Sequence, residues 1–527
     1  MPDNWVRAIS EQELKAKRST VVRVAGKQLA MFDNDGDIFA CNNRCPHEGY
    51  PLSEGSLDSS CVLTCNWHNW KFDLCDGSNL YGGDELRIYP IDIRDGDIWV
   101  DLSEPPLEER RRQVLENLRD AYDDHEYDRI AREVGRWQLL GADPVDTVAA
   151  AIDWSYDRME FGWTHAFAGT ADWLTLYDEH AGDLETQLIC VLESIGHMSD
   201  DLLRESTFPY TEKRSHFSES DFLDAVETED EARAVAMIRG AVHDEVDYRE
   251  VHAALARAAL AHYNDFGHSL IYVEKVGGLI SRLGSRVALP LLLSLVRGIV
   301  FATREDKIPE FRGYAKALKH WGTTECDAPP DVDGYRRLGI NKALELTHKL
   351  SANEPEQLFD FLLGANCINM VGFDLQLQNH IDRTVDDNVS WLDFTHTITF
   401  ADAVWQACRE LPDTWPAALL QLACFSGRNA GFTVSEVDCA PWRVEDPDRF
   451  FADSVEHLFD HAREEYIVSV HLLKTVLAAR RLYRQRPGAP STEPLLAALN
   501  RFLNEPLKRK HVRRTMRQAM SFVDRDG

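Results

Sequence analysis

The chain has 527 residues, 44% hydrophobic and 10% aromatic, with 57 Lys and Arg against 88 Asp and Glu and a formal net charge of −31. That length exceeds one ordinary domain and predicts two or three. The acidity is spread along the chain and argues against a nucleic-acid surface, which needs an excess of Lys and Arg. Eleven cysteines in a chain this long do not suggest a disulfide framework and are expected to be reduced. The polar start Met1-Pro2-Asp3-Asn4 shows no signal-peptide pattern. The longest apolar run, Val287 to Ala302, is broken by Pro290 and Arg297 and falls short of the ~20 residues a membrane span needs. It predicts a buried helix, and the chain as a whole predicts a cytoplasmic protein that contacts neither membrane nor nucleic acid.

Residues 1–104 read as a small β domain. Val21–Val24, Gln28–Phe32, Ile38–Ala40 and Ile98–Leu102 are β-branched or aromatic runs, separated by turn formers such as Asn34-Asp35-Gly36-Asp37 and Asp95-Gly96-Asp97. Within this segment stand Cys45-Pro46-His47 and, after 17 intervening residues, Cys65-Asn66-Trp67-His68. Two thiolates and two imidazoles so spaced suit a [2Fe–2S] cluster, with the Cys pair on one iron and the His pair on the other. The same four residues also suit a structural zinc site. Zinc fingers normally group their two Cys and their two His, whereas each loop here carries one of each, which favours the cluster.

The stretches Cys45-Pro46-His47-Glu48-Gly49 and Cys65-Asn66-Trp67-His68-Asn69-Trp70-Lys71-Phe72-Asp73 resemble the two cluster loops of Rieske ferredoxins. Leu86–Ile91 resembles the strand that follows the second loop. High-potential respiratory members add a Cys after each ligand pair. Here Glu48-Gly49-Tyr50 and Asn69-Trp70 stand in those places, while Cys41 and Cys61, four residues before each ligand Cys, read as ordinary thiols. The resemblance therefore implies the ferredoxin and oxygenase type, at lower potential.

At Pro105-Pro106 the texture changes. Residues 105–148 predict a linker and a charged, solvated connecting helix. From 149 to 527, apolar residues recur at three- and four-residue spacing, predicting one large all-α domain of fifteen or so helices. Val251–Leu260 and Tyr466–Ala479 are the clearest. Ring-hydroxylating Rieske oxygenases instead place their iron in a domain built on an antiparallel sheet, and neither that pattern nor a D-x₂-H-x₄-H motif occurs here. The locally basic stretch Leu507 to Arg517 reads either as a dock for the acidic body of the same or a neighbouring subunit or as a solvated terminal helix.

Four histidines recur in apolar helical contexts: His165, His268, His396 and His471. A single such residue is more often a core histidine than a ligand. Four helices packed together, however, can aim such rings at one point, and neutral imidazole suits iron. His197, His243, His252, His262, His320 and His461 lie in more polar surroundings and read as surface or supporting residues. His262 and Glu160 are the best further ligand candidates.

These segments also resemble the questin-oxidase-like family, and His471-Leu472-Leu473-Lys474 resembles its late H-x-x-K motif. Some members are oxygenases of anthraquinone-type substrates, and one type binds a single non-haem iron through four histidines and a carboxylated lysine. The resemblance implies His165, His268, His396 and His471 as iron ligands, with Lys474 as the modified lysine. Its members do not usually carry a Rieske domain, which leaves the reaction type open.

The leading expectation is a non-haem iron oxygenase. An external reductase would feed the cluster, which would pass electrons to an iron that activates O₂ toward an organic substrate, aromatic or polyketide-like. One alternative is a diiron oxygenase, although a pair of Glu-x-x-His motifs is not evident. Another is an electron-transfer or redox-sensing protein whose helical part binds a partner. No acid–base residue stands out. A homo-oligomer is expected if cluster and iron lie far apart within one chain.

Overall fold

The computed structural model describes residues 4–202, 207–264, 266–304, 307–323, 331–380, 389–507 and 512–524. The chain divides into two compact units, Met1–Thr147 and Val148–Gly527.

Among its described residues the first unit holds ten strands: β1 (Trp5–Ser10), β2 (Ser19–Val24), β3 (Lys27–Asn34), β4 (Asp37–Asn42), β5 (Ser56–Leu57), β6 (Val62–Thr64), β7 (Lys71–Asp73), β8 (Asn79–Tyr81), β9 (Ile91–Arg94) and β10 (Asp97–Asp101). They form three antiparallel sheets in the orders β1-β10-β9, β2-β3-β4 and β5-β6-β7-β8. The hairpins turn on Ala25-Gly26, Asp35-Gly36 and Asp95-Gly96, with positive φ at both residues of each pair, the requirement of tight I′-type connections. One core, built on Leu29, Met31, Ile98 and Val100, supports the first two sheets. Another, built on Phe32, Leu63, Phe72 and Leu74, surrounds Cys45 and Cys65.

Residues 86–91, predicted as one strand, pair only in part. Asn42 N–H donates to Arg87 O and Tyr89 N–H to Ala40 O. Pro90 then has no N–H to offer, and the regular strand begins at Ile91. β1 and the short helix Glu11–Lys17, capped by Ser10 Oγ, were not foreseen.

The segment read as a linker forms two helices, Leu107–Asp123 and Tyr127–Leu139, within the first unit. The first is charged but not wholly solvated: Val114, Leu118, Ala121 and Tyr122 make a buried stripe that packs on the second. The second anchors to the β domain through one aspartate. Asp84, 1% exposed, accepts from Arg129 Nε at 2.5 Å, Arg136 at 3.2 Å and Arg132 at 3.4 Å.

The second unit is all-α among the described residues. Nineteen α-helices run from Val145–Ser155, which begins just before the border, to Val512–Val523. The excess over the expected number comes partly from pieces such as Tyr314–Lys319, Val332–Arg336 and Leu375–Asn379, too short to show a period. The apolar run at 287–302 forms the helix Ala288–Val300, and Pro290 sits in its first turn, where its missing N–H costs no intrahelical bond. No helix of the described residues is long and apolar enough to cross a membrane. The basic residues at 508–511 lie outside the described residues, as does Asp265.

Four helices matter most for function: His165–Glu179, His268–Leu283, Leu392–Glu410 and Tyr466–Gln485. The first packs on the second, the second on the third, the third on the fourth, and the fourth on the first. They close a ring.

Candidate functional site

In the first unit the two Cys loops have one shape. Cys45 N–H donates to Tyr50 O and Gly49 N–H to Cys45 O; Cys65 N–H donates to Trp70 O and Asn69 N–H to Cys65 O. Gly49 and Asn69 both take positive φ, a conformation that Gly and Asn adopt at least cost. Cys45 and Cys65 are buried, whereas His47 is half-buried and His68 exposed. The His47 and His68 rings stand 4.6 Å apart, nearly perpendicular. Trp70 stacks on His47 at 4.7 Å and Trp67 on His68 at 5.6 Å. Burial pushes the Cys45 thiol up to about 12, so a thiolate there requires a cation beside it. Two adjacent buried sulfurs with two imidazoles at the surface edge fit a cluster with one iron in each environment. Cys41 is buried and Cys61 half-buried.

In the second unit, each helix of the closed ring contributes one histidine. His268 Nε2 lies 3.2 Å from His165 Nε2 and 2.9 Å from His396 Nε2, and His471 Nε2 lies 3.2 Å from His396 Nε2. The outer nitrogens decide the chemistry. Nδ1 of His268 contacts Asn264 O at 3.0 Å, that of His396 contacts Leu392 O at 2.5 Å and that of His471 contacts Ile467 O at 2.5 Å. A carbonyl oxygen only accepts, so each Nδ1 carries a proton, and a neutral ring so held turns its Nε2 lone pair inward. Burial holds His165, His396 and His471 well below the ordinary imidazole range, which keeps those rings neutral. Lone pairs at such separations repel unless a cation lies among them. Nitrogens about 2.1 Å from one metal ion and at right angles lie about 3.0 Å apart, close to the spacing found. The donor set fits a metal ion.

Lys474, three residues after His471 and 3% exposed, places Nζ 3.2 Å from His396 Nε2. Burial holds its amine well below the ordinary lysine range, with nearby Lys275 pushing the same way and Asp172 opposing. Phe266 stacks on His396 at 5.0 Å, and Tyr272 faces His268 at 5.6 Å. Together they give the site aromatic walls.

About two helical turns further along the same four helices lies a charged layer. Asp172 accepts from Lys275 at 2.6 Å and from Arg481 at 3.2 Å, while Arg481 also donates to Asp402 at 2.6 Å. These residues and Lys474 line a cavity of about 210 Å³. They were not foreseen, although the signal is in the sequence. Asp172, Lys275 and Arg481 follow His165, His268 and Lys474, respectively, by seven positions, the interval that returns to the same helix face.

The further ligand candidates do not join the cluster. Glu160 is exposed. His262 is buried but turned elsewhere, with Nε2 3.4 Å from Glu227 Oε1. Three histidines read as surface or supporting residues are in fact interior: His262, His252, paired with Glu274 at 2.8 Å, and His197, stacked on Tyr466 at 4.9 Å. Among the described residues, the metal-ligating group of this unit comprises His165, His268 and His396 and contains no carboxylate.

The first unit thus has the architecture of an iron–sulfur electron carrier. Residues 4–85 match the family model of the Rieske [2Fe-2S] domain. The ferredoxin component of the naphthalene 1,2-dioxygenase system of Pseudomonas aeruginosa is 30% identical over 105 residues, 20% of this chain and 100% of that protein. The 4beta-methylsterol monooxygenase of Methylococcus capsulatus is 31% identical over 115 residues, 20% of this chain and 31% of that protein. Among solved structures, the ferredoxin of carbazole 1,9a-dioxygenase from Nocardioides aromaticivorans is similar at 23% identity and a TM-score of 0.18, covering 19% of this chain and 99% of that one. Through its N-terminal domain, the chain belongs to the Rieske [2Fe-2S] family. Each of these likenesses spans about a fifth of its length.

Proposed function

We propose that the protein is a non-haem iron oxygenase with its electron carrier built in. Cys45, His47, Cys65 and His68 would hold a [2Fe–2S] cluster that takes electrons singly from an external reductase. His165, His268, His396 and His471, with Lys474 as a fifth ligand after carboxylation, would hold a single iron. When bound, that iron supplies activation of O₂ for oxidation of an organic substrate, aromatic or polyketide-like.

The observation that carries this is the convergence of neutral imidazoles whose Nδ1 protons are committed to backbone carbonyls. Asn264, Leu392 and Ile467 fix the tautomers through those carbonyls. Phe266 and Tyr272 pack against the His396 and His268 rings and would limit water there. Lys474, held neutral by burial, has the free amine that carboxylation by CO₂ needs, and the product would be an anionic oxygen ligand. The resemblance to questin-oxidase-like proteins favours an oxygenase over a pure carrier, and the relatives from dioxygenase and monooxygenase systems, which match the N-terminal domain alone, support the carrier half of the reading.

Iron content tests this. After anaerobic Fe(II) loading, about three irons per chain are expected, two of them in the cluster. A chain that stays at about two is a carrier alone, and the helical part then binds a partner in an electron-transfer or redox-sensing role.

A further inference from the structure

The ring of four helices encloses a passage. The cavity of about 210 Å³ is lined over residues 168–175, 271–278, 399–406 and 474–481. A rise of seven residues on each helix makes it about 10 Å long. Thr175 and Gly278 are exposed at its outer end, whereas Ala168, Ile271 and Lys474 are buried at its inner end. None of the four histidines lines it among the described residues. It leads from solvent to the lysine amine rather than to the imidazole nitrogens.

The charged layer decides what can pass. Lys275 and Arg481 both donate to Asp172 Oδ1, at 2.6 and 3.2 Å, and Arg481 reaches on to Asp402 at 2.6 Å. These contacts tie all four helices together across the passage. A planar aromatic molecule reaches Lys474 only by parting largely buried ion pairs, which is costly. The cavity continues past the layer, with lining residues on both sides of it, so a molecule of two or three atoms meets no such cost. The other oxygen of the same carboxylate, Asp172 Oδ2, is buried and has no hydrogen-bond partner among the described residues. A buried acceptor without a donor is rare and calls for a role.

We propose that this passage is the port through which CO₂ reaches Lys474, and that Asp172 receives the proton the amine gives up. This rests on the reading of Lys474 as a carboxylated ligand and adds how the group is installed. The Nζ lone pair forms the N–C bond as one C=O π pair moves onto oxygen. One N–H proton passes through a water in the cavity to Asp172 Oδ2 and on to solvent, and nothing is oxidised or reduced. Lys275 and Arg481 hold Oδ1 and so position the other oxygen for that transfer. O₂ is the competing passenger. The inner end argues against it, because an amine is a nucleophile for the carbon of CO₂ and has no such reaction with O₂.

The rate of carboxylation tests this. The full chain is loaded with Zn(II), a diamagnetic ion, and given ¹³C-bicarbonate with carbonic anhydrase present to keep CO₂ supplied, and the carbamate ¹³C resonance is followed in time. Thr175→Trp with Gly278→Trp, both at exposed positions and with open space around Gly278, narrows the mouth. It is expected to slow both the appearance and the loss of the signal at least tenfold, while the final intensity stays that of wild type. Asp172→Asn is expected to slow both about tenfold or more, with circular dichroism unchanged. A narrowed variant that carboxylates at the wild-type rate overturns the port, and if its reduced form also consumes O₂ more slowly, the passage serves O₂ instead. Asp172→Asn at the wild-type rate overturns the role of Asp172. A wild-type chain that binds the metal but shows no carbamate overturns the underlying reading of Lys474, and the port with it.

Discussion

The Nε2 atoms of His268 and His396 stand 2.9 Å apart, while the Nδ1 atoms of both rings are tied to the carbonyls of Asn264 and Leu392. Rings so fixed, when neutral, turn their Nε2 lone pairs toward one another. Only a cation or a shared proton relieves that contact, and burial works against protonating His396.

His396→Ala removes the ring that contacts His268, His471 and Lys474 alike. Iron is expected to fall from about three to about two per chain, with the Rieske absorption and electron paramagnetic resonance signals unchanged. Loss of cluster iron instead would contradict independent sites.

Lys474→Met separates ligation from packing. Replacing a buried neutral amine by an apolar chain of similar length is expected to leave the stability of the metal-free protein unchanged or slightly raised, because the amine's burial costs more than its contacts return. Affinity for the third iron is expected to fall about tenfold or more. Fe(II) titration and thermal unfolding of the metal-free protein read the two effects separately.

Gly82→Ala probes the support of His47, the proposed cluster ligand. Gly82 has φ +138, and an added Cβ would lie 2.4 Å from Cδ2 of Trp70, the ring stacked on His47. Moving Trp70 is expected to cost roughly 2–3 kcal/mol and to shift the Rieske resonance. Gly96→Ala, also at positive φ but with open space around it, is expected to cost only about 1 kcal/mol and leave the resonance in place.

Glu133 gives a pH dependence. It is fully buried between Arg136 and the Asp84 cluster, and burial raises its carboxyl from 4.5 to about 7, with Arg136 opposing. Between pH 4.5 and 7 the folded form holds a proton that the unfolded form has released, so stability falls as pH rises through that window. Glu133→Gln abolishes this change. The variant is expected to match wild type near pH 4.5 and to exceed it by up to about 3 kcal/mol at pH 8, measured by denaturant unfolding.

The cluster loops were legible in the sequence because their chemistry is local: ligands a few residues apart, with Gly49 and Asn69 supplying the turn. The β-then-α order was legible for a related reason, since periods of two and of three to four residues are properties of short windows. The strand at 86–91 pairs only in part because Pro90, a breaker already visible in the sequence, follows the Cys41–Ile88 bridge by two residues. For His262, His252 and His197 the sequence left surface and supporting roles open, because charged neighbours in sequence say little about which helix face is covered.

Sequence by itself determined that Cys45, His47, Cys65 and His68 stand at the spacing of Rieske cluster loops and that an all-helical chain follows with a histidine in each of four apolar segments. Only the tertiary structure decided that those four segments, more than 300 residues from first to last, close into a ring with three neighbouring Nε2 pairs at 2.9–3.2 Å. It also decided that the charged layer of Asp172, Lys275, Asp402 and Arg481 lies beyond them. Convergence of that kind is a property of helix packing, set by which apolar faces meet. Sequence spacing fixes the faces but not their partners.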